Sequence, residues 1–159
     1  MIKELLIKNK SKIVDKWIQS IYNSYPPEAS KFLGNRKDRF GNPVGYIIAD
    51  SAEKIFDEFV NNNNNERIKL LLKEIIKIRA VQDFTPSQAA GFILSLKEVI
   101  YKELELEVKS GNYFNEFILI DVGIDNIALM SFDLFMEARE KIFQLRTNEI
   151  RSRSMKIID

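Results

Sequence analysis

The sequence predicts an all-α protein of about six helices, the last far longer than the others. Three observations carry this. Apolar residues recur at intervals of three and four rather than two, the spacing that lines one face of a helix. The punctuation residues are few, four Pro and six Gly in 159 positions, and they cluster between the periodic stretches. After Asn112 no Pro occurs at all, and Gly123 is the one Gly.

The first helix is carried by Ile13, Val14, Trp17, Ile18, Ile21 and Tyr22, and it reads as continuous with Leu5 and Leu6 upstream. It should stop at Tyr25, because the residue before Pro26 is pushed out of helical geometry. A short helical piece over residues 28–33 follows, ended by Gly34. Residues 35–42 form a charged loop. Asn42-Pro43 then reads as an N-cap followed by Pro in the first turn, where a missing N–H costs nothing.

The helix begun there carries Ile47, Ile48, Ala52, Ile55, Phe56 and Phe59 on one face. Five consecutive Asn at 61–65 make a solvated loop. The next helix covers residues 67–78 with Ile68, Leu71, Leu72, Ile75 and Ile76. Thr85-Pro86-Ser87-Gln88 is the clearest start signal in the chain: Thr85 caps and Gln88 reaches back to it. That helix runs through Phe92, Ile93, Leu96, Val99, Ile100 and Leu104 to a stop at Ser110-Gly111-Asn112.

Beyond Asn112, Phe117, Ile120, Ile124, Ile127, Ser131, Leu134, Ala138, Ile142 and Leu145 keep spacings of three or four. A helix from there to about residue 151 has roughly 40 residues and spans ~60 Å. A compact chain of this size has a radius of gyration of only ~15 Å, so the helix end should project. A projecting apolar stripe needs a cover, which predicts a homodimer or another protein partner. The seam is assigned to Ile124, Ile127, Ser131, Leu134, Phe135, Ala138, Ile142 and Leu145. Gly123 is the one place where a kink is expected.

Composition narrows the function. Lys and Arg number 24 against 23 acids, a balance unlike that of a nucleic-acid-binding module. The chain has neither Cys nor His. Thiolate chemistry, disulfides, the common zinc sites, the usual proximal haem ligand and the commonest general base are therefore excluded. No cofactor, metal or catalytic residue is expected. Glu4 and Lys8 interrupt any signal-peptide core, and Glu116, Asp121, Asp125 and Asp133 sit in the most apolar stretch. No membrane span is expected, and the protein reads as cytoplasmic.

Two polar clusters are candidate ligand sites. Arg36, Lys37 and Arg39 precede the helix start at Asn42, where free N–H groups favour an anion. Arg79 and Gln82 lie just before the Thr85 cap. If the two loops meet, they make a shared anion pocket; otherwise each is a turn tied down by side-chain hydrogen bonds. A catalytic use of Arg39 with Asp83 would require those two residues to converge. Phe132, Phe135 and Phe143 could line a small apolar pocket or pack against the body or a mate.

Three segments carry a resemblance: YPPEASKFLGNRKDRFGNPVGY at 25–46, IRAVQDFTPSQAAGF at 78–92 and FDLFMEAREKIFQLRTNEIRSRS at 132–154. In this order they resemble the RsbRD N-terminal domain family, the RsbT co-antagonists of the bacterial stressosome. The resemblance covers nearly the whole chain as one domain, residues 1–159. It implies a globin-like helical sensor domain that binds no haem and dimerises through its last helices. In such proteins a C-terminal helix leads to a phosphorylatable STAS output domain that engages a kinase. No STAS domain follows within these 159 residues. The expectation is a non-enzymatic sensor or scaffold domain acting in stress signalling. The resemblance also extends to short relatives in anaerobic bacteria with sulfur respiration, so an accessory subunit of a redox or sulfur-metabolising complex is the alternative.

Overall fold

The computed structural model describes residues 1–35 and 38–158. Among them it forms eight helices and no strand: α1 (Ile2–Lys8), α2 (Lys10–Asn23), α3 (Pro27–Leu33), α4 (Pro43–Asn61), α5 (Asn65–Val81), α6 (Pro86–Glu103), α7 (Glu105–Ser110) and α8 (Phe114–Ile158). The all-α class and the long last helix are as predicted.

The higher count comes from two breaks that periodicity does not reveal. At Asn9 the side-chain amide donates to the carbonyl of Leu5 at 2.8 Å, and the backbone leaves helical geometry, separating α1 from α2. A side chain that competes for the backbone in this way favours helix ends. At Leu104, buried and with ψ of 33°, the chain bends between α6 and α7. The Asn run is shorter as a loop than expected: α4 includes Asn61, and Asn64 caps α5 by accepting from the Arg67 N–H at 3.2 Å.

The larger helices make a closed ring of contacts. α8 packs on α5 and α6, α4 packs on α5, α2 packs on α6, and α2 meets α4. The buried residues form one contiguous cluster inside that ring. Trp17 is fully buried in it, its indole N–H donating to the Phe92 carbonyl at 2.7 Å and its ring stacked on Phe92. A buried indole needs such a partner.

Asn42 joins α3 to α4. It is 1% exposed; its amide donates to the carbonyls of Leu33 at 2.9 Å and Phe32 at 3.2 Å, and its oxygen accepts from the Gly45 N–H at 3.0 Å. One side chain thus satisfies groups at the end of one helix and the start of the next. A Cβ on Gly45 would sit 2.5 Å from the Leu33 carbonyl oxygen, so glycine is what permits this approach.

α8 is an unbroken helix of 45 residues, ~68 Å long. Gly123 does not break it. A Cβ there would lie 2.7 Å from the Phe59 ring, so the absent side chain makes room for α4 to lay that ring on α8. The body ends before the helix does. Phe135 is buried and Ile142 half-buried, and from Phe143 to Ile157 only Thr147 is even partly covered. The final helix therefore projects, as its length predicted.

Candidate functional site

The outward face of α8 carries a row at strict seven-residue spacing: Val122, Leu129, Met136, Phe143, Ile150 and Ile157. All six are between 50% and 86% exposed. A sustained seven-residue apolar period is the signature of helices that supercoil about one another. Three residues after each of the first five members come Asp125, Phe132, Arg139, Arg146 and Arg153; four after come Asn126, Asp133, Glu140, Thr147 and Ser154. On a helix these two rows flank the apolar row on opposite sides. Over the second half of α8, one flank is therefore basic and the other acidic or neutral.

The residues predicted for the seam face the body of their own chain, Leu145 excepted. Ile124, Ile127, Ser131, Leu134 and Phe135 are buried within the chain itself, while Ala138 and Ile142 are half-buried against the same core. Of that set, Leu145 is exposed, at 69%. The three-and-four spacing marks the side of α8 that the body covers. The physical reason is one of competition: the most continuous apolar stripe of an amphipathic helix is used first by its own fold. The seven-residue row was present in the sequence, masked by this denser stripe. The proposed aromatic pocket divides likewise, Phe135 facing inward and Phe132 and Phe143 outward.

A polar junction lies beside the point where α8 leaves the body. The Arg79 side chain is fully buried, donating to the Gln88 carbonyl and to Ser24 Oγ, both at 2.9 Å. Its guanidinium is stacked among Tyr25, Phe84 and Phe92, 4.6 to 5.5 Å from the ring centroids. Its Nε has no partner among the described residues, and burial lowers its pKa, an effect opposed by the Tyr25 hydroxyl. Tyr25 in turn donates to the Gln82 side chain at 2.7 Å. On the outer side, Arg139 of α8 donates to the Ala80 carbonyl at 2.9 Å and approaches Asp83 at 3.5 Å. An arginine at a helix C-terminus satisfies a free carbonyl and the negative end of the dipole. Asp83 itself has φ of 60°, the left-handed conformation that Asp and Asn tolerate.

Arg79, Gln82 and Asn42 hold helix ends together. Arg39 is exposed and lies 5.2 Å over the Tyr46 ring of α4, whereas Asp83 faces Arg139 of α8, so these contacts do not join the two loops. Arg36 and Lys37 lie outside the described residues. An open cleft of about 410 Å³ is lined by residues of α2 and α4. The Lys10 ammonium at its edge is already paired with Glu53 at 3.2 Å and Asp57 at 2.9 Å. No group of three metal-ligating side chains occurs among the described residues, and no helix is long and apolar enough to cross a membrane.

The chain is 24% identical over 147 residues to an uncharacterized protein of Archaeoglobus fulgidus, an alignment covering 89% of this chain and 84% of that protein. No solved structure matches it. Residues 11–150 match the RsbT co-antagonist protein rsbRD N-terminal domain, a span that runs from α2 into the first part of the projecting helix. The chain belongs to that family.

Proposed function

We propose that the chain is a non-enzymatic signalling or scaffold domain of the stressosome co-antagonist type, and that it works as a parallel homodimer joined along α8. The seven-residue row from Val122 to Ile157 carries this reading. It supplies an apolar line on the face turned away from the body, extended along a segment that the body does not reach. Water-exposed apolar residues in such a line are stabilised by a second helix of the same period.

The flanking charges support parallel over antiparallel pairing. Across a two-fold axis parallel to the helices, the Arg139 flank of one copy meets the Glu140 flank of the other. Across a perpendicular axis, the basic row faces the basic row and the acidic row faces the acidic row. Like charges in that position oppose association, and opposite ones set orientation. In the parallel arrangement the two projecting ends emerge side by side and present Arg146 and Arg153 to a reader protein. A change in helix packing at the body would alter the face so presented.

Light scattering coupled to size-exclusion chromatography tests the reading. A dimer at micromolar concentration is expected, and Phe143→Glu should convert it to a monomer. Spin labels at Ser152 should then report a short inter-copy distance for a parallel pair. A monomeric wild-type chain defeats the proposal, and a long distance between the labels defeats the parallel arrangement.

A further inference from the structure

We infer that Arg139 is a two-position latch through which pairing of α8 loosens the α5–α6 corner; this rests on the parallel pairing proposed above. Two observations meet at this residue. Within one chain its guanidinium caps α5 at the Ala80 carbonyl and approaches Asp83. It also stands in the flanking row that a parallel second copy would bring against Glu140, one residue along the helix and exposed. The same fork cannot fully serve both the carbonyl of its own body and the carboxylate of a mate. The Asp83 part of the hold is weak, because the Asp83 side chain is 80% exposed and a partly exposed arginine pairs weakly with such a group.

What the latch controls follows from its neighbours. Ala80 is next to Arg79, whose buried guanidinium holds Ser24 at the end of α2 and the Gln88 carbonyl in the first turn of α6. Gln82 receives the Tyr25 hydroxyl. The corner from Arg79 to Asp83 is thus held from within by the Arg79 contacts and from without by Arg139. Withdrawing the outer contact frees the last turn of α5 while leaving the inner one in place. Linkage then runs both ways: a ligand or partner that tightens this corner retains Arg139 and disfavours pairing, and pairing makes the corner more open.

Substitutions at the two alternative partners separate the latch from ordinary surface electrostatics. Asp83→Asn keeps a residue that tolerates the left-handed backbone and removes the charge on the body side. It should tighten self-association, measured by sedimentation equilibrium, about two- to fivefold. Glu140→Gln should weaken it by a similar factor. Hydrogen exchange at the amides of residues 80–84 should be faster in Arg139→Gln than in the wild type, and faster in the wild type when concentrated than when dilute. A wild-type chain that pairs while Asp83→Asn leaves the dissociation constant unchanged or raises it overturns the latch alone. A chain that never pairs overturns the dimer reading and the latch with it. Unchanged exchange in Arg139→Gln overturns the body half of the latch whatever the oligomeric state.

Discussion

Arg79 shows how a residue type can leave its purpose open. An arginine beside Gln82 and Asp83 in a turn reads either as part of an anion site or as a side chain that ties the turn down, and here its charge is enclosed by three aromatic rings. Aromatic faces and two oxygen acceptors replace much of the lost hydration, but a buried charge still carries a desolvation cost. Arg79→Met should therefore be less destabilising in urea unfolding than Arg79→Lys, which keeps a buried charge and loses the two-armed geometry. Asn42 is more exacting, since no apolar residue can serve its three backbone partners. Asn42→Ala should lower stability by about 2–3 kcal/mol in the same measurement. The N-cap was legible from Asn42-Pro43. That its amide also ends α3 was not, because nothing local signals that Leu33 and Phe32 are brought within reach.

Among the elements, α8 holds the clearest lesson on legibility. Its existence, its length and its projection could be read from the missing Pro, the sparse Gly and the periodicity. Which of its faces the body would cover could not, because two apolar stripes share one helix and only the tertiary packing chooses between them. In sequence Gly123 is the one expected kink, and in the fold it is the place where the Phe59 ring fits against α8. Gly123→Ala should gain helix propensity of up to ~1 kcal/mol, set against displacement of the Phe59 ring. A double-mutant cycle should show a larger gain from Gly123→Ala in a Phe59→Leu background than in the wild type.

The contact between α6 and α8 also carries a pH signature. Burial, with a hydrogen bond to the Asp121 carboxylate, pushes the Tyr101 phenol well above the ordinary tyrosine range. The folded chain thus holds this proton more tightly than the unfolded chain. The corresponding stabilisation is complete below the ordinary pKa of ~10 and is lost as pH rises above it. Chemical denaturation between pH 9 and 11 should show falling stability, with a shallower fall in Tyr101→Phe. Some slope should remain in that variant, because Lys97, hydrogen-bonded to Asp125, is also shifted upward.

For the molecule as a whole, the helix ring encloses its own core and leaves one element overhanging. From Phe143 to Ile157 there are fifteen residues of helix, all exposed but the partly covered Thr147. An isolated helix of that length is marginal in water, since its nucleation is costly and few side-chain pairs support it. The pair between Arg153 and Glu149 at 2.7 Å contributes only a few tenths of a kcal/mol. The overhang should consequently behave as a built-in reporter of company. Diluting the protein ought to melt it from the tip inward while the ring stays folded, so that mean residue ellipticity at 222 nm declines with concentration before any thermal transition of the body begins.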